Sequence, residues 1–158
     1  MRSDDPNLKF AVGYLELGML DDAVHAIESI SPQDKNSSSV LAVRMEIYRA
    51  SKNWSLMEVV ARELWRRHQD ESLHWINLAW ATRRSADLKE AHRILGEALE
   101  RFPDDATTHF NLGCYECQLG DLESAKARVG QAIKLDPKFG MIALDDPDLE
   151  PMWVAWSW

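Results

Sequence analysis

Apolar residues along this chain recur at helical intervals, and the intervals themselves recur. Between residues 72 and 139 one 34-residue pattern is written twice. With Ser72 laid on Ala106, Leu78 falls on Leu112, Ala79 on Gly113, Asp87 on Asp121, Leu88 on Leu122, Ala91 on Ala125, Ala98 on Ala132 and Pro103 on Pro137. Within a copy the apolar positions follow i, i+3, i+4, i+7, which lines up one face of a helix. On the helix from Ser72 that face is Trp75, Leu78, Ala79 and Thr82, and it should pack on the partner helix of its own hairpin. Self-similarity at such a period predicts stacked helical hairpins, because one hairpin cannot bury its apolar face alone.

The pattern predicts helices over 6–17, 21–30, 39–50, 53–67, 72–84, 87–101, 106–119 and 121–135, and no stretch alternates with a strand period. Their ends carry chemical signals. Gly18 and Gly120 suit a positive φ where one helix stops, and Asp121 and Asn53 suit caps where the next begins. Pro6 fits a first helical turn, while Pro137 prevents continuation of the helix before it. The polar run from Ser31 to Ser39 is the longest internal joint.

Positions 111 to 137 read Asn-Leu-Gly, then Gly-Asp-Leu-x-x-Ala, then Ala-Ile-Lys-Leu-Asp-Pro. In this order and at this spacing the residues resemble the tetratricopeptide repeat family. One period back, residues 38–71 keep the frame with Tyr48, Trp54 and Leu64, while Met45 and Met57 replace small contacts. Another period back, residues 4–37 place Phe10, Ala11, Tyr14, Gly18, Leu20, Ala23, Ile27 and Ile30 in the same columns. The resemblance implies an all-α, right-handed superhelical solenoid of four helix-turn-helix repeats, at 4–37, 38–71, 72–105 and 106–139, with a C-terminal capping segment at 140–158. It also implies that the first helix of each hairpin lines the inner surface.

Composition narrows the function. The chain has 158 residues, 46% hydrophobic and 28% charged, enough for a continuous core. A net charge of −8 and the lack of a basic stripe argue against nucleic acid. The cluster Arg66, Arg67 and His68 is expected to close a helix C-terminus. Residues 1–7 are polar, and no stretch approaches a membrane span, so a cytoplasmic location without membrane insertion is expected.

No metalloprotease helix, phosphate loop, nucleophile elbow or dinucleotide fingerprint occurs, so neither catalytic residues nor a cofactor are expected. Paired acids such as Asp21 with Asp22 and Asp104 with Asp105 fall at helix starts, where capping explains them. Cys114 and Cys117 form half of a Cys-x-x-Cys ligand set. A tetrahedral zinc site needs two further ligands, and there is no second pair. The expectation is two reduced thiols and no metal, with a metal or redox protein as the distant alternative.

The other side of the inner helices remains. In the helix from Ser72 it holds Ile76, Trp80, Arg83 and Arg84; one period on it holds Phe110, Cys114, Cys117 and Gln118; one period back, Ala42, Glu46, Arg49 and Ala50. Superimposed columns would make these a groove, apolar with an arginine edge, and aromatic and arginine residues are common binding anchors. Arg49, Ile76, Trp80, Arg83, Arg84, Phe110 and Cys114 are the candidate peptide-binding residues, unless Trp80 and Phe110 merely fill gaps between adjacent inner helices. Family members that clasp the C-terminal carboxylate of chaperone tails use Lys, Asn and Arg side chains. Here the matching columns hold Leu8, Val12, Val43, Leu73 and Asn77, and only Asn77 fits. The function expected is a non-enzymatic scaffold that binds a peptide segment of an unidentified protein; a chaperone for an exported protein is the alternative.

The last segment carries Pro147 and Pro151, the acids Asp145, Asp146, Asp148 and Glu150, and three tryptophans in six positions. The last hairpin of a solenoid has one face without a neighbour, and an apolar segment is expected to cover it. Leu149 and Trp153 are the expected cap, with Trp156 and Trp158 as further cap or self-association residues. The alternative is a tail docked on another molecule, where its tryptophans and acids suit the arginine-edged groove and would make a homodimer.

Overall fold

The computed structural model describes residues 5–85 and 87–155, and all regular structure among them is helical. The chain divides into two compact units, residues 1–68 and 69–158.

The first unit holds α1 (Pro6–Glu16), α2 (Leu20–Glu28), α3 (Ser38–Ala50) and α4 (Trp54–Arg67), with α1 packed on α2 and α3 on α4. Asp5 caps α1 by accepting from the Asn7 N–H at 2.8 Å, with Pro6 in the first turn. Ser37 and Asn53 cap α3 and α4 through their side chains. Leu8, Ala11, Ala23, Ala26, Ile27, Ile30, Val40 and Ile47 form a buried cluster, against which Tyr14, Leu15 and Val43 pack. Met45 and Met57, in place of small residues, are buried in the α3–α4 pair.

The second unit holds α5 (Ser72–Arg84), α6 (Leu88–Arg101), α7 (Ala106–Gln118), α8 (Leu122–Leu135), α9 (Lys138–Asp145), a 3₁₀ turn (Pro147–Leu149) and α10 (Glu150–Ala155). Asp87, Asp105 and Asp121 cap α6, α7 and α8, each by accepting an N–H three residues on. Pro137 ends one helix and opens another: α8 stops at Leu135, and α9 starts immediately after the proline.

The 34-residue period survives as bonding. In each hairpin the N–H that opens the second helix reaches back five residues to a carbonyl of the first: Met19 to Tyr14, Asn53 to Tyr48, Asp87 to Thr82 and Asp121 to Glu116. Among the described residues, three at these joints have positive φ, Gly18 at 73°, Lys52 at 56° and Gly120 at 88°. This turn satisfies carbonyls that a helix end would otherwise leave without partners. The second helices repeat one buried stripe at the same spacing. It reads Ala23, Ala26, Ile27 in α2; Met57, Val60, Ala61 in α4; Ala91, Ile94, Leu95 in α6; and Ala125 and Val129 in α8.

Candidate protein-interaction site

On α5 the expected hairpin face is in place, with Trp75, Leu78, Ala79 and Thr82 all buried. Trp75 also donates its indole N–H to the Gln69 carbonyl at 3.1 Å. Because side chains at i and i+4 share a face, Ile76 and Trp80 lie together on another side of the helix, both half-buried. One turn later Arg83 is half-buried and Arg84 exposed. The Arg84 guanidinium stands 5.0 Å from the centroid of the Trp80 ring, a cation–π arrangement.

Trp80, Arg83, Arg84, Asn111 and Cys114 border one cavity of about 450 Å³ whose remaining wall is Asp146, Pro147 and Asp148. The tail therefore reaches the arginine edge within the chain. Arg83 donates to both carboxylate oxygens of Asp148, at 2.5 and 2.7 Å, and its guanidinium also lies 5.1 Å from the centroid of the Tyr115 ring. Gln118 donates its side-chain N–H to the Asp148 carbonyl at 2.7 Å. The Asp146 carboxylate accepts the Asp148 N–H at 2.9 Å, which holds the turn around Pro147. Leu149 and Met152 then enter the core, at 0% and 1% exposure. Trp153 is half-buried and donates its indole N–H to the Ala143 carbonyl at 2.9 Å.

The other sequence candidates are distributed as follows. Phe110 is buried and stacked on Phe139, with ring centroids 4.8 Å apart. Cys114 is buried beside the tail, its thiol 3.9 Å from an Asp146 oxygen. Phe110 is thus covered by Phe139 at the start of α9, whereas Cys114, though buried, still borders the cavity. Arg49 belongs to α3 in the first unit and pairs with Glu46 at 3.5 Å. Trp156 and Trp158 lie outside the described residues. Gln118 stood in the groove columns but outside the candidate set, and sequence reasoning did not single out Asn111 or Glu116, nor the pairing of Asp148 with Arg83. The signal for that pairing was the run of acids opposite an arginine edge.

Burial pushes Cys114 far above an ordinary thiol, and the Asp146 and Asp148 carboxylates push the same way; burial also raises Cys117. In the second unit Cys114, Asp146 and Asp148 offer ligand atoms within 4.8 Å of one another. A cation there would have to take Asp148 from Arg83 and a proton from Cys114, which opposes binding. His109 does not join this group; it is buried and bonds the Pro103 carbonyl at 2.8 Å. A second cavity, of about 290 Å³, lies in the first unit and is bordered by Val24, Ile27, Glu28, Lys35, Arg44, Ile47 and Tyr48. No helix among the described residues is long and apolar enough to cross a membrane.

No protein-family model matches the sequence, and no curated protein matches it. Solved structures do match. MamA (residues 41 to the end) from Desulfovibrio magneticus RS-1 superposes with a TM-score of 0.75 at 15% identity, over 84% of this chain and 75% of that one. YrrB, described as a tetratricopeptide-repeat protein with an unusual peptide-binding site, gives 0.67 at 15% identity over 93% and 81%. TTC0263, a thermophilic repeat protein of Thermus thermophilus, gives 0.67 at 19% identity over 94% and 86%. Together with the bonds that recur every 34 residues, these likenesses show that the chain has the tetratricopeptide-repeat fold.

Proposed function

We propose that this chain is a non-enzymatic protein-interaction module whose four hairpins act as repeats, and that a peptide segment of a partner protein binds at the surface of α5 around Ile76, Trp80, Arg83 and Arg84. The observation that carries this reading is the pairing of a half-exposed Trp80 with Arg84 at the edge of a cavity that Arg83 also borders. Aromatic and arginine side chains dominate binding energy at protein interfaces, since each offers a large rigid surface together with a directed polar group. YrrB, of the same fold, is described as having a peptide-binding site, which agrees with this use of the architecture.

The test is the double variant Trp80→Ala with Arg84→Glu. It is expected to abolish capture of the principal partner while helicity and melting stay nearly unchanged. Unimpaired capture would reject the site. A large loss of melting temperature would instead make Trp80 a packing residue, since truncating a buried tryptophan costs about 3–5 kcal/mol.

A further inference from the structure

The tail is an internal example of what the surface between α5 and α7 accepts. It presents a short acid, a proline, a second acid and an apolar residue, Asp146-Pro147-Asp148-Leu149. The second acid takes both arms of the Arg83 guanidinium, its carbonyl takes the Gln118 amide, and the leucine is fully buried. Arg84 and Trp80 border the same cavity from the α5 side.

We propose that Arg83 is the recognition point for an acidic segment of the partner protein, an Asp or Glu followed by an apolar residue, and that Asp146–Leu149 occupies this point in the resting chain as a competitor. The inference rests on the reading of α5 as the binding surface and adds the chemistry of the partner and its regulation. The argument is one of replacement. The side chains of Arg83 and Asp148 are 22% and 29% exposed, so their forked, charge-assisted bonds are partly withdrawn from water. If the tail leaves, a neutral occupant strands the guanidinium without its acceptor, and a basic one meets Arg83 and Arg84 together. An acidic segment restores both bonds. Its apolar neighbour can refill the volume that Leu149 vacates against α7. While the tail is seated, the apparent affinity for such a segment falls by the fraction of molecules that are open.

The probe is a dye-labelled synthetic peptide with the sequence of residues 145–155, Asp-Asp-Pro-Asp-Leu-Glu-Pro-Met-Trp-Val-Ala, titrated with the full chain and followed by anisotropy. The wild type is expected to bind weakly. Asp148→Asn, which releases the tail's charge and keeps its shape, should bind at least ~10-fold tighter, because the competitor is weakened. Leu149→Ala, which loosens the tail through packing, should give a gain in the same direction. Adding Arg83→Gln to Asp148→Asn should reverse the gain by at least ~10-fold, and so should a peptide whose second-acid position is Asn, as expected for loss of a charge-assisted fork. Circular dichroism and melting establish that each variant folds.

Equal binding by wild type and Asp148→Asn, binding indifferent to Arg83, or no binding by any variant would overturn the proposal. If Asp148→Asn forms a dimer that the peptide dissolves, the occupant is a second copy of this chain, and the assignment to a different partner is overturned. Failure of the underlying reading looks different: partner capture would then be indifferent to Trp80 and Arg84. If capture needs those two residues but ignores Arg83 and Asp148, the surface stands and the acidic-partner inference falls.

Discussion

The helices α5 and α7 are the same sentence one period apart, each thirteen residues long and each the first helix of its hairpin, yet they are buried very differently. In α5 five residues are buried, and they form the hairpin face with Ala81 beside it. In α7 nine are buried, including Phe110, Cys114 and Cys117 on the side corresponding to Ile76, Trp80 and Arg83. Nothing in the repeat pattern distinguishes the two. The difference is a neighbour: the 3₁₀ turn and α10 lie against α7, and Phe139 of α9 stacks on Phe110. A repeat column therefore determines which side of a helix meets its hairpin partner. Whether the opposite side becomes core or surface depends on what else the chain lays there.

If the tail is what turns α7 into core, Leu149→Ala should have the largest effect. The leucine is fully buried, and deleting a buried leucine side chain costs about 2–5 kcal/mol. Denaturant titration measures the loss. Thiol labelling sharpens it, since Cys114 should react faster than in wild type once the tail loosens. Unchanged labelling with full loss of stability would mean that the tail stabilises α7 without shielding it.

The hairpin interiors give the next test. A Cβ added at Gly113 would stand 2.9 Å from a Val129 methyl, 3.2 Å from the Ala125 carbonyl oxygen and 3.2 Å from Arg128 Cβ. Gly113→Leu should cost about 1–3 kcal/mol or more, because two of those obstacles belong to the α8 backbone or lie next to it and cannot swing away. A fully stable variant would refute the close approach of α7 to α8. At Gly130, exposed on α8, an added Cβ meets nothing within 4 Å. Gly130→Ala should therefore stabilise by about 0.4–1 kcal/mol through helix propensity and a less disordered unfolded chain. The opposite signs at two glycines of one hairpin can be read from a pair of melting curves.

A smaller effect concerns Glu116, buried on α7, with His92 at 3.5 Å and Arg128 at 3.6 Å. Burial raises its pKa more than its Arg128 and His92 partners lower it. A carboxyl raised in the folded state favours folding most when protonated. Its contribution is thus fully present below the unfolded pKa and is lost as pH rises through the folded one. Glu116→Gln should accordingly melt slightly above wild type at neutral pH, with the gap closing as pH falls below the ordinary glutamate range. A variant less stable at neutral pH would show that the bonds to His92 and Arg128 outweigh desolvation.

Much of the fold was legible because its determinants are local. The helices lie within a few residues of the expected spans, since Gly120, Asp121, Asn53, Pro6 and Pro137 act on the backbone within one turn of themselves. The buried face of α5 followed from 3.6-residue spacing alone. Lys52 shows the limit: it adopts the positive φ that Gly18 and Gly120 hold at their joints, which only the turn geometry reveals.

Of the candidate residues, Trp80, Arg83 and Arg84, proposed from their column, border one cavity, and Leu149 and Trp153, proposed from the need to cover an end, are buried and half-buried. The expected groove residues Phe110 and Cys114 are buried, Phe110 against Phe139 and Cys114 beside Asp146. That an aspartate sixty-five residues downstream takes Arg83 could not follow from periodicity, which compares positions within the repeats and is silent about a segment outside them.

By itself, then, the sequence determined the all-α class, the 34-residue frame, the hairpin faces and the helix ends, because each depends on residues within a few turns of one another. Only the tertiary structure decided that Asp148 meets Arg83, that Leu149 fills the space over α7 and that Glu116 is buried near Arg128. Those contacts depend on where the chain returns after α9. Short-range rules constrain that path only through the wish to cover apolar surface, and several placements of a tryptophan- and aspartate-rich tail satisfy it equally until charge pairing and packing select one.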